Sequence, residues 1–133
     1  KWDVSQVTEM NKIFSDLDDF NYALSNWDVS RVTNMKMMFR NAESFNQDLS
    51  NWDVSRVVDM RMMFRNAKSF NQDLSNWNVT RVVDMHGMFA NASSFQQTLS
   101  GTAWANSKAS KDEMFTHSLG CISDTACGTS MLL

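Results

Sequence analysis

The chain has 133 residues, enough for one domain with a real core. Its net charge of −3 makes no global electrostatic case for nucleic acid or an anionic membrane surface, and no apolar run approaches the ~20 residues of a membrane span. Proline is absent and glycine occurs only four times, so turns must rest on Asn, Asp and Ser.

From its second residue the chain repeats. Trp2, Trp27, Trp52 and Trp77 stand 25 residues apart, and a fixed period of that size marks a repeat architecture. Four copies result (2–26, 27–51, 52–76 and 77–101). Lys1-Trp2-Asp3 already lies inside the motif, so the chain is expected to be a fragment or a processed product. The first copy departs from the rest: Ser15-Asp16-Leu17-Asp18-Asp19 forms an acidic patch and puts Leu17 in a column held elsewhere by Ala42, Ala67 and Ala92. Natural solenoids cap their ends, so the Trp2 end is expected to be covered by chain upstream or by a partner.

Within a copy, two periods follow each other. From Trp52 to Val54 apolar residues alternate with Asp53 and Ser55, the pattern of a short strand with one buried face. Met60, Met63, Phe64 and Ala67 are then spaced i, i+3, i+4, i+7, which predicts a helix of about two to three turns. Glu9, Asp59 and Asp84 near its start and Arg40 and Arg65 near its end suit the helix dipole. Ser-Phe-Asn-Gln-Asp (44–48, 69–73) reads as a return loop pinned by its Phe and the following Leu. One strand and one helix per copy cannot close a core alone, but stacked copies can. Parallel strands sit ~4.8 Å apart and packed helices about 8–10 Å, so the stack should bend, strands on the concave side and helices on the convex side.

The polar positions between the core columns also form rows. Asp3, Asp28, Asp53 and Asn78 make one on the strand face, Ser5, Ser30, Ser55 and Thr80 the next, and Asn26, Asn51 and Asn76 a third. Adjacent carboxylates in such a row repel by roughly 1 kcal/mol in water. Hydrogen bonds to nearby backbone N–H, Ser or Asn groups would relieve this, as in an Asx turn; so would a bound Ca²⁺ or a basic partner. Basic residues form Arg31, Arg56, Arg81, then Lys36, Arg61, His86, then Arg40 and Arg65. Lys36, Arg40, Arg61 and Arg65 are expected on the convex face, serving solubility or attachment to an acidic surface or another copy of the protein. Met37 and Met62 are expected to point outward beside Arg40 and Arg65. His86 and His117 are the only histidines, and no nucleophile–His–acid set, phosphate loop or HExxH motif occurs. Neither an enzyme nor a metal or other cofactor is expected.

Leu49-x-x-Trp52-x-Val54 resembles the L-x-x-L-x-L core of leucine-rich repeats, with Val57 where Asn or Cys usually stands. Asn26-Trp27-Asp28-Val29-Ser30, Val32-Thr33-Asn34-Met35, Met38-Phe39, Ala42 and Phe45-Asn46-Gln47-Asp48-Leu49-Ser50 resemble more closely the phrase of the BspA-like leucine-rich-repeat surface proteins. The resemblance covers about 2–100. It implies an extracellular or cell-surface location and a role in adhesion and partner binding, without a defined biochemistry.

After Leu99 the register fails: Trp104 stands 27 residues after Trp77, and Met114-Phe115 stands 26 after Met88-Phe89. Residues 102–133 are expected to be a degenerate fifth copy and C-terminal cap. Cys121 and Cys127 make no four-ligand metal pattern. They are either two buried thiols or a disulfide worth about 2 kcal/mol at most, and the extracellular location implied by the resemblance favours the disulfide. The expected protein is a curved α/β solenoid of the leucine-rich-repeat kind, with one short parallel strand and one short helix per copy. Its expected function is binding a protein or surface ligand through the concave rows, or self-assembly into a larger surface array or filament.

Overall fold

The structure is a computed structural model that describes residues 2–123. Its regularity comes from the period rather than from long elements. Isolated parallel bridges join Glu9 to Asn34, Asn34 to Asp59, Asp59 to Asp84 and Asp84 to Ser110, so one point of each copy lies beside the same point of the next. The named elements among the described residues are β1 (Thr98–Leu99), α1 (Thr102–Ala105) and β2 (Cys121–Ile122). β1 and β2 pair in parallel, Thr98 with Cys121 and Leu99 with Ile122.

The expected strand over Trp52 to Val54 does not form; only its alternation is kept, with Trp52 and Val54 buried and Asp53 exposed, while the copy-to-copy bridge lies further on at Asp59. The expected helix over Met60 to Ala67 is not there. The N–H groups of Met60, Met62, Phe64 and Asn66 donate across to the carbonyls of Asp84, His86, Met88 and Ala90 in the next copy, at 3.0, 2.8, 2.8 and 2.9 Å. The residues between turn back on the chain. Met63, Arg65 and Ala67 donate to the carbonyls three residues before them. A helix needs every N–H to reach four residues back, and half of these groups have been claimed by a neighbouring copy. Met62 and Asn66 also take left-handed φ values of 53° and 59°, which a right-handed helix excludes. The tight turns still bury Met60, Met63, Phe64 and Ala67, so a helix-like spacing serves a different backbone. The reason for curvature goes with the helix, because hydrogen bonds set the copy-to-copy distance on this side too.

The core is one cluster running from Met10 to Ile122. All nine phenylalanines stand in two adjoining columns within or against it. Phe14, Phe39, Phe64, Phe89 and Phe115 follow one another at centroid separations of 5.5, 5.4, 5.4 and 5.6 Å. Phe20, Phe45, Phe70 and Phe95 follow at 5.7, 6.0 and 6.0 Å. The columns touch within each copy, as at Phe64 and Phe70, 4.1 Å apart. Trp52, Trp77 and Trp104 each bury an indole whose Nε1–H donates to the carbonyl of Leu24, Leu49 or Leu74, so these large rings carry no unpaired donor into the core.

Trp104 makes this bond although it stands 27 residues after Trp77. Ser110 bridges Asp84, and β2 lies only 23 residues beyond its partners in β1. The spacing drifts after Leu99 while the copy-to-copy bonding continues. Cys121 is buried near Thr98; its pairing with Cys127 falls on a residue outside those described.

Phe64 stacks on Phe39, Phe70 and Phe89 and is fully buried, whereas Phe14 is only partly buried at the end of the column. Phe64→Ala is expected to cost about 3–5 kcal/mol of unfolding free energy and Phe14→Ala clearly less, read from urea denaturation. Equal losses would contradict a column shared between copies.

Candidate functional site

Asp3, Asp28, Asp53 and Asn78 are exposed, in a segment that forms no strand, and each closes a small turn. Ser5 donates from both N–H and Oγ–H to Asp3 Oδ1, at 3.0 and 2.6 Å. Ser30 does the same to Asp28 Oδ1, again at 3.0 and 2.6 Å. The Ser55 N–H reaches Asp53 Oδ1 at 3.0 Å. Thr80 repeats the double bond to Asn78 Oδ1, at 3.1 and 2.8 Å. A short polar side chain bonding two residues ahead is the Asx turn, and it supplies the turn geometry that proline and glycine would otherwise give.

These bonds also answer the repulsion along the row. The Ser hydroxyl, and after it the Ser backbone N–H, holds each of the Asp3, Asp28 and Asp53 carboxyls below its ordinary value. Asp3 pushes Asp28 the other way, and Asp28 does so to Asp53, but both effects are smaller than the hydrogen bonds. The described residues hold no group of three His, Cys, Asp or Glu side chains placed to bind a metal ion.

A second Asx row was not singled out from the sequence. Asn34, Asp59 and Asp84 accept the N–H groups of Lys36, Arg61 and His86 at 2.9, 3.0 and 2.9 Å, at the bridge positions themselves. Here the basic residues meet acidic ones. Arg61 Nη2 lies 2.6 Å from Asp59 Oδ2, and its Nε lies 3.8 Å from Asp84 Oδ2. Burial raises the Asp59 carboxyl's pKa, but the Arg61 hydrogen bonds and charge outweigh it and hold the carboxyl below its ordinary range. Arg40 donates to Ser15 Oγ and pairs with Asp16 at 3.4 Å. Lys36 lends its charge to Asp59. Arg65 has Met62 Sδ as its hydrogen-bond acceptor, at 3.6 Å. The four basic candidates thus have different partners, with Lys36 and Arg61 both acting on Asp59. Met37 and Met62 are half-buried at left-handed turn positions, not fully outward.

Two further ladders run from copy to copy. Asn21, Asn46 and Asn71 accept on Oδ1 from the next copy's backbone N–H at 2.9, 2.9 and 3.0 Å, and from Gln47, Gln72 and Gln97 Nε2 at 3.0 Å each. Asn66 Nδ2 donates to Asn41 Oδ1, and Asn41 Nδ2 to Asp16 Oδ1, at 2.7 and 2.6 Å. The signal was partly available: Phe-Asn-Gln-Asp-Leu-Ser recurs unchanged at 45–50 and 70–75, and the flanking copies keep Asn21 and Gln97.

A family model described as "Mycoplasma protein of unknown function, DUF285" matches residues 1–118. No curated protein and no solved structure matches the chain.

The depressed Asp59 carboxyl fixes the sign of an acid effect. Its folded pKa lies below the unfolded value of about 3.9, so its contribution is complete at neutral pH and is lost as pH falls through the folded value. Asp59→Asn, which copies Asn34 in the same row, is expected to flatten the fall in urea midpoint below about pH 4. Superimposable pH profiles for the two proteins would remove the Asp59–Arg61 pair from the account.

Proposed function

Because the chain belongs to the DUF285 family, whose description carries no activity, we propose its function from its geometry: a non-catalytic repeat module, extracellular or at the cell surface, that binds a protein or surface ligand. Within that family the repeat phrase supports the finer assignment to the BspA-like leucine-rich-repeat surface proteins. The bonding of each copy to the next, from the Glu9–Asn34 bridge to the Asp84–Ser110 bridge, supports reading the array as a solenoid, with turns in the place of helices.

One observation carries the binding reading. In the Asp28 turn both bonds from Ser30 fall on Oδ1, and no hydrogen bond among the described residues falls on Oδ2; the Asp53 turn repeats the backbone bond to Oδ1. Each carboxylate is held in a fixed pose by one oxygen and offers the other to solvent. Repeated at the copy spacing, with Asp3 on one side and the neutral Asn78 on the other, this makes a rigid graded row of acceptors. Such pre-organised groups lose little entropy on meeting a basic partner. Ser30 and Thr80 have their hydroxyls on the same row, and Ser55 occupies the equivalent position.

Asn78 provides a clean test of the row. Asp28→Asn together with Asp53→Asn keeps an Oδ1 acceptor for each serine, as Asn78 does for Thr80, and removes only the charge. The melting temperature is expected to stay within a few degrees, while binding to a basic peptide or to a captured partner weakens by about tenfold or more. Binding unchanged by the double substitution would sink the row as a contact surface.

A further inference from the structure

The basic column that begins at Arg31 changes its company along the array. Asp28 stands three residues before Arg31, and Asp53 three before Arg56. The Ser30 and Ser55 hydrogen bonds come first in holding those carboxyls below their ordinary range, and the Arg31 and Arg56 charges add to the effect. In the fourth copy Asn78 takes the place of the acid before Arg81. The next member of the column is Lys108, which stands as far after Arg81 as Trp104 does after Trp77, and Ala105 occupies the acid's place before it. Neither Arg81 nor Lys108 has an ion pair among the described residues. The last two cations of the column have therefore lost the acid that the earlier two keep.

The same two cations line a hollow of about 280 Å³ between the fourth copy and the fifth. Its origin lies in the drift of the period. The path from Trp104 to Ser110 is one residue shorter than the path from Trp77 to Asp84, although Ser110 still bridges Asp84 and the Trp104 indole still bonds to Leu74. The fifth copy is thus pulled short across the fourth. Val83, beside it, is 63% exposed, where Val58, beside a copy of full length, is 40%.

No acidic side chain lines the hollow. Asn106 contributes a side-chain amide to it. The Ser107 hydroxyl oxygen accepts the Ala109 N–H at 3.2 Å, which leaves its O–H to donate elsewhere. Val82, Val83 and Ala103 supply an apolar wall. A guanidinium fork and an ammonium recognise a carboxylate or a phosphate through charge-assisted hydrogen bonds. The wall separates these two ligands, because a carboxylic acid can cover it with a hydrocarbon stem and an inorganic phosphate leaves it wet. The volume lies at the small end for ligand pockets, so the stem must be short.

We infer that this hollow binds the carboxylate of a small organic acid, with Arg81 and Lys108 taking the charge and Val82, Val83 and Ala103 the hydrocarbon stem. The site is opposite in charge to the Asp3–Asp28–Asp53 row and independent of what that row binds.

Titration of the full chain with isovalerate, followed by NMR on the methyl groups of Val83 and Ala103, tests this. Saturable shifts are expected at about millimolar concentration. Isovaleramide, which lacks the charge, and inorganic phosphate, which lacks the stem, should each bind at least about tenfold more weakly. Arg81→Gln and Lys108→Gln should each weaken isovalerate binding by about tenfold. Asn78→Asp should do the same, because it returns to Arg81 the acid that Arg31 and Arg56 have. That variant keeps the Oδ1 acceptor used by Thr80 and copies the turns already built at Asp28 and Asp53, so its fold is preserved. Methyl signals that do not move with isovalerate overturn the site, as does binding unchanged in all three variants. Phosphate or isovaleramide binding as tightly as isovalerate overturns the carboxylate assignment.

Discussion

The structure depends on a division of labour among backbone N–H groups. Every second one between Met60 and Asn66 bonds to the neighbouring copy; of those between, Met63 and Arg65 bond three residues back and Arg61 bonds to the Asp59 side chain. This alternation sets the distance between copies, and that distance brings equivalent side chains within reach of one another. Phe39, Phe64 and Phe89 stack because their backbones are held one copy apart. Asn41 and Asn66 touch for the same reason. Buried backbone groups must be paired, and in a chain without proline and with few glycines this scheme pairs them at turn after turn.

Polar residues close the turns that the scheme requires. Asp28, Asn78, Asn34 and Asp48 all accept from the backbone two residues ahead, at 3.0, 3.1, 2.9 and 2.8 Å. Asp and Asn exchange freely in these roles, because the turn uses a single Oδ1 acceptor and is indifferent to the charge behind it. Charge is therefore a separate variable, laid over a scaffold that does not need it. The acidic first copy, the Arg61 cluster and the neutral Asn78 turn are three settings of the same backbone. That independence gives the surface rows room to carry recognition.

Much of the candidate site was legible from the letters alone. Column spacing alone sets Asp3, Asp28, Asp53 and Asn78 in one polar row and Ser5, Ser30, Ser55 and Thr80 in the next, and the hydrogen-bonded relief of the repulsion follows from having a hydroxyl two residues on. Less legible was the pairing of Arg61 with Asp59 and Asp84, because Asp59, two residues back, faces Arg61 only when a turn brings them together, and Asp84 stands in the next copy. The Asn46–Gln72 ladder was hidden in a segment that reads as a plain return loop. Its members lie 26 residues apart, beyond any local pattern.

By itself the sequence determined the period, the set of buried residues and the polar strip, since burial follows from which positions stay apolar in every copy. Met60, Met63, Phe64 and Ala67 are inside, as their spacing requires. The backbone carrying them was decided only by the tertiary structure. A helix and a run of tight turns bury the same four positions, and local propensity slightly favours the helix. The choice falls to the turns because the carbonyls of Asp84, His86, Met88 and Ala90 stand in the adjacent copy, ready to accept the N–H groups a helix would have used internally. No window of one copy contains those acceptors, so no local reading could weigh them.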